Sequence, residues 1–171
     1  MIKNLFGGIK MNIYEYAMQM EKDGKKYYRE LIQKTNVKGL KSILNMIADD
    51  EVKHYKVVEK MKQNAQPQMA ETKVLITAKN IFTKMKEKNE KFDSETSQLE
   101  LYRKVLDIEE KSHDFYSQKA EEIEDDSQKK IFLKLAEEEQ KHYYLIDNII
   151  DFITKPENWA ESAEFFKYDQ Y

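Results

Sequence analysis

Ala136-Glu137-Glu138-Glu139-Gln140-Lys141-His142-Tyr143 decides the fold of this chain, because a near copy, Ala48-Asp49-Asp50-Glu51-Val52-Lys53-His54-Tyr55, lies upstream in fixed register. Each copy holds a Glu-x-x-His pair, and the offsets agree: 139 − 51 = 88 and 142 − 54 = 88. The chain has three histidines, and the repeat uses two of them. Glu and His at i, i+3 share one face of a helix, so each pair can present two ligands to one point. The same offset joins Glu21 to Glu109 (109 − 21 = 88) and Tyr28 to Tyr116 (116 − 28 = 88). A helix pair duplicated at constant spacing predicts two-fold pseudosymmetry.

Working outward, apolar periodicity predicts four long helices. The first covers about residues 12–34, with Asn12 as N-cap and Glu15 closing a capping box. Its inner face reads Tyr14, Ala17, Glu21, Gly24, Tyr28, Leu31. The second covers about 38–63 with the face Leu40, Leu44, Ile47, Glu51, His54, Val58, Met61. The third, about 97–123 and capped by Ser94 or Thr96, presents Tyr102, Val105, Glu109, Ser112, Tyr116. The fourth, about 127–154, presents Phe132, Leu135, Glu139, His142, Ile146, Ile149 and stops before Pro156. The acidic turn at 124–127 places negative charge at its start. Every stripe is apolar at its ends and polar at its centre, where a solvating glutamate has no reason to be.

Residues 35–39 are a short connection, so the first two helices fold back on each other. Residues 63–96 are long and mostly polar, contain Pro67, and hold a short amphipathic helix at 74–85. Such a segment suits a crossover along the length of a bundle. The expected fold is all-α: a four-helix bundle over residues 12–154, with a long crossover between the second and third long helices. Residues 155–171 form an aromatic C-terminal extension, and residues 1–11 a short tail loosened by Gly7-Gly8.

Composition agrees. Two prolines and four glycines in 171 residues permit long helices, and 40% hydrophobic with 36% charged residues suits helices with one buried stripe. A net charge of −3 offers no attraction to nucleic acid or an anionic membrane. The absence of cysteine excludes disulfides, thiol catalysis and cysteine-bound iron–sulfur centres. No stretch reaches the roughly eighteen apolar residues of a membrane span, and the first residues lack a signal-peptide core; the expectation is a cytoplasmic protein.

Four stripes facing one axis bring Glu21, Glu51, His54, Glu109, Glu139 and His142 to one level. Four carboxylates in an apolar interior repel one another and resist ionisation. Two divalent cations bring +4 against their −4, which is a physical reason for two metals. An oxygen-rich site with some imidazole suits iron, with manganese possible in one or both positions. A single Glu-x-x-His is common and uninformative; the doubled register and two matched glutamates carry the inference. The competing reading for Glu21 and Glu109, a buried ion pair with lysine, is weakened because no lysine lies on the inner stripes. Tyr28 and Tyr116 read as core tyrosines able to donate a hydrogen bond to a ligand carboxylate. His113 lies beside the stripe and reads as a flanking residue. Asp49, Asp50, Glu137 and Glu138 read as a solvated face, with an iron entry path as the second reading.

Residues 12–154 resemble the rubrerythrin-like branch of the ferritin-like di-iron carboxylate superfamily. The repeated Glu…Tyr of the first and third helices and the Glu-x-x-His-Tyr endings of the second and fourth carry the match. The resemblance implies that Glu51 and Glu139 bridge two irons, Glu21 and Glu109 are terminal ligands, and His54 and His142 each cap one metal. It also covers the tail from Pro156 to Tyr171. It departs at Ser112, where peroxide-reducing rubrerythrins carry an extra carboxylate, and in lacking a four-cysteine rubredoxin domain, so electrons must come from a separate donor protein. The expected function is two-electron reduction of hydrogen peroxide or dioxygen. Ferroxidase action in iron handling and a non-catalytic metal-stabilised bundle are the alternatives. A homodimer is expected, with Trp159, Phe165, Phe166, Tyr168 and Tyr171 capping the bundle or packing on the second subunit.

Overall fold

The computed structural model describes residues 12–90 and 96–155. Five helices follow in order: α1 (Ile13–Lys34), α2 (Lys38–Lys62), α3 (Val74–Glu87), α4 (Thr96–Glu122) and α5 (Asp126–Thr154). Four long helices with a crossover carrying the short α3 make an all-α bundle, as the periodicity predicts, of the ferritin-like form that the resemblance implies. Ser94, the tail at 1–11 and the aromatic extension beyond Lys155 lie outside the described residues. No described helix is long and apolar enough to cross a membrane.

Helix ends follow local chemistry. The Asn12 side chain accepts from the Glu15 N–H at 2.8 Å while the Glu15 carboxylate accepts from the Asn12 N–H at 3.3 Å, completing the capping box. Asp125 caps α5 by accepting from the Gln128 N–H at 2.9 Å. Thr96, a predicted cap, is the first residue of α4 itself. Helices α2 and α3 stop at Asn64 and Asn89, whose φ angles of 57° and 50° lie in the left-handed region that asparagine tolerates. The next N–H reaches back five residues in each case, Ala65 to Lys60 and Glu90 to Met85, both at 3.0 Å.

The connections at 35–37 and 123–125 leave each helix pair antiparallel. Tyr28 meets Glu109 and Tyr116 meets Glu21, so α1 and α4 are antiparallel neighbours. His54 meets Glu138 and Asp50 meets His142, so α2 and α5 are too. Helix α3 lies over α2 and α5. Its approach depends on Gly39, where a Cβ would come within 2.3 Å of the Met85 sulfur.

The predicted inner faces are buried almost without exception; Tyr14 is half-buried, with its hydroxyl on Gln128. Two apolar clusters result. One is built on Tyr28, Leu31, Leu44, Ile47, Ile146 and Ile149. The other is built on Ala17, Val58, Met61, Tyr116, Phe132 and Leu135. The polar centres of the stripes form a layer between them.

Candidate metal centre

Helical spacing sets Glu21 on α1, Glu51 and His54 on α2, Glu109 on α4, and Glu139 and His142 on α5 into that layer. All six are buried, none more than 3% exposed. They make two overlapping groups, Glu21–Glu51–His54–Glu139 and Glu51–Glu109–Glu139–His142, within each of which one ligand atom per residue lies within 4.8 Å of the others. Glu51 and Glu139 belong to both groups. The two imidazoles stack with centroids 5.6 Å apart and planes inclined by 20°.

His54 Nδ1 is 2.8 Å from Glu139 Oε1 and 3.4 Å from Glu21 Oε2. His142 Nδ1 is 3.2 Å from Glu51 Oε1 and 3.5 Å from Glu109 Oε2. These approaches are close without the directionality of hydrogen bonds. Glu21 Oε2, Glu51 Oε1, His54 Nδ1, Glu109 Oε2, Glu139 Oε1 and His142 Nδ1 are all buried with no hydrogen-bond partner. Left so, each group would cost about 1–3 kcal/mol. One orphaned donor atom from each of six residues, grouped around two centres, is the arrangement that ions satisfy. Without ions the layer is electrostatically frustrated. Burial, then the neighbouring carboxylates, pushes Glu51 and Glu139 well above the ordinary carboxyl range. Burial acts against the charged form of His54 and His142, but the surrounding carboxylates win and hold both well above ordinary imidazole. At Glu109, burial works upward, yet contacts from His142, Glu139 and Tyr28 leave it lowered.

The remaining atoms of the set are held. Tyr28 donates its hydroxyl proton to Glu109 Oε1, and Tyr116 donates to Glu21 Oε1, each across to the other half of the repeat. Burial, then the facing carboxylates, raises both phenols well above their usual range, so both keep the proton they donate. His54 Nε2 lies 2.8 Å from Glu138 Oε2, and His142 Nε2 lies 3.4 Å from Asp50 Oδ2. In each case Nε2 faces a carboxylate outside the layer, which leaves Nδ1, on the layer side, as the atom an ion would take once its proton is displaced.

Those last contacts correct one expectation. Asp50 and Glu138 are not a solvated face: they are 3% and 5% exposed. Burial acts to raise the Asp50 pKa, but His142, Lys53 and Thr72 together hold it well below the usual range. The signal was present in the sequence, since 138 − 50 = 88 and each precedes a candidate ligand glutamate. His113 stands apart, donating Nδ1–H to the Ala136 carbonyl at 2.9 Å. Ser112 is 6% exposed on the inner face of α4, one turn beyond Glu109.

Residues 12–150 match the family model described as Rubrerythrin. No curated protein and no solved structure matches the chain significantly.

Proposed function

Because the chain belongs to the rubrerythrin family, we propose that the buried layer holds two iron ions and reduces hydrogen peroxide or dioxygen with electrons from a separate donor protein. The observation that carries the reading is the set of six partnerless donor atoms, one on each predicted ligand. Glu51 and Glu139 stand in both four-residue groups and suit bridging positions; Glu21 with His54, and Glu109 with His142, suit terminal ones. The donor chemistry fits: four carboxylates offset two divalent charges, and the two imidazoles add neutral nitrogen ligands. Manganese in one or both positions is compatible with the same donors.

When bound, an iron pair supplies the two electrons that convert one hydrogen peroxide and two protons into two waters. The chain's part is preorganisation. The Tyr28 and Tyr116 hydroxyls fix one oxygen of Glu109 and Glu21 and leave the other free to bind. Glu138 and Asp50 hold the imidazoles in the tautomer that offers Nδ1. The apolar clusters on either side exclude water from the layer. These 171 residues hold no cysteine that could bind a rubredoxin-type iron, which is why a donor protein enters the proposal. Ser112 offers no carboxylate that could take the place of a histidine in holding an ion.

The test is reconstitution with ferrous iron followed by peroxide or oxygen, with and without a reductant, beside the Glu51→Ala/Glu139→Ala variant. Two irons per chain and catalytic consumption of peroxide or oxygen, both absent from the variant, are expected. Stoichiometric iron oxidation with mineral accumulation would favour the ferroxidase alternative. Tight binding of two irons that neither oxidant attacks would leave a metal-stabilised bundle.

A further inference from the structure

The chain that leads from one imidazole to the other passes through a residue of the crossover. Thr72, two residues before α3, donates its N–H to Glu138 Oε1 at 2.8 Å and its hydroxyl to Asp50 Oδ2 at 2.5 Å. Glu138 Oε2 in turn holds His54 Nε2, and Asp50 Oδ2 holds His142 Nε2. The Thr72 hydroxyl also accepts from the Val74 N–H at 3.2 Å, which turns its proton towards Asp50. Thr72 is half-buried, and it is placed where α2 and α5 face each other. The crossover occurs once, so the two-fold repeat has no second threonine of this kind; the position 88 residues on is Ala160.

We propose that Thr72 is a positioning residue that joins the outer partners of both histidines and makes the two halves of the centre unequal. Its grip on Glu138 is through the backbone and survives any non-proline side chain. Its grip on Asp50 is through the hydroxyl and does not. Asp50 otherwise keeps Lys53 at 2.7 Å on Oδ1, while Oδ2 would be left with His142 alone at 3.4 Å. Loss of the hydroxyl therefore loosens His142 and spares His54. The inference rests on the reading of the layer as a two-ion centre.

The test is titration of the metal-free full chain with Co(II), followed by calorimetry and visible absorption. Wild type should take two ions. Thr72→Val should weaken one binding step about tenfold, in line with the 10–100-fold effect of removing outer partners of metal ligands, and leave the other unchanged. Thr72→Ser, which keeps the hydroxyl, should restore it. Asp50→Asn should weaken the same step, and adding Thr72→Val to it should cost nothing more, because the two act as one unit. Helical circular dichroism and the melting point of the metal-free variants check the fold; if Thr72→Val fails that check, Thr72→Ser and Asp50→Asn still decide. Two unchanged steps, two equally weakened steps, or additive losses in the double variant would overturn the role of Thr72 while leaving the two-ion centre standing. Fewer than two cobalt ions in wild type would overturn the centre itself, and the proposal with it.

Discussion

At the scale of single residues, the centre depends on space as much as on ligands. A Cβ at Gly24 would lie 2.6 Å from Glu51 Oε2, inside contact distance, so the bare glycine makes room for a carboxylate that both candidate ion positions share. Gly24→Ala should lower metal affinity about tenfold, the low end of the range for disturbed ligand geometry. The metal-free protein should stay helical, since alanine favours a helix over glycine by about 0.5–1 kcal/mol. Cobalt titration beside circular dichroism measures both; wild-type affinity in the variant would contradict the role given to Gly24. The six candidate ligands were legible in the sequence because a glutamate at the centre of an apolar stripe has no solvating purpose, and the 88-residue register repeats the anomaly. Asp50 and Glu138 share that register but stand off the apolar stripe. Periodicity sets each about 100° from the candidate ligand glutamate that follows it, and the packing of α2 against α5 turns that flank inward. Thr72 was further out of reach, because a loop has no periodicity to say which way a side chain points.

At the scale of elements, caps and stripes carried most of the fold. Every predicted long helix ends within one residue of its observed limits, because Asn12, the acidic turn at 124–126 and the breaks after Lys34 and Thr154 are local signals. Asn12→Ala removes a side-chain acceptor from the first turn of α1 and should cost about 1 kcal/mol, read as a lower urea midpoint at unchanged slope. A shift of less than a few tenths would mean that water replaces the cap without loss. The position of α3 was less legible than its existence. Its amphipathic pattern announces a helix, but that it covers α2 depends on a contact between Gly39 and Met85, residues distant in sequence.

For the molecule as a whole, stability and metal loading are linked through protons. In the metal-free protein Glu51, Glu139, His54 and His142 have folded pKa values above their unfolded ones, so each contributes stability that is full below the unfolded value and lost as pH rises through the folded value. Glu109 and Asp50 run the other way, contributing above their unfolded values and losing as pH falls through the lowered folded ones, a loss that lies below the range where the four raised groups act. With unfolded values of about 4.3 for glutamate and 6.5 for histidine, the metal-free bundle should weaken from about pH 5 upward. Ion binding displaces the same protons and strengthens with pH. The gap in melting temperature between metal-loaded and metal-free protein should therefore widen from about pH 5 to pH 8; a constant or narrowing gap in calorimetric scans would refute the linkage. The layout of the two groups also has a kinetic meaning. Each candidate ion position draws three donors from one helix hairpin and the fourth from the other. The hairpins close over three-residue turns, whereas their docking must wait for the longer chain between α2 and α4 to find its path. An ion caught early by one hairpin would have three of its four donors in hand and leave the fourth position for the second hairpin to fill.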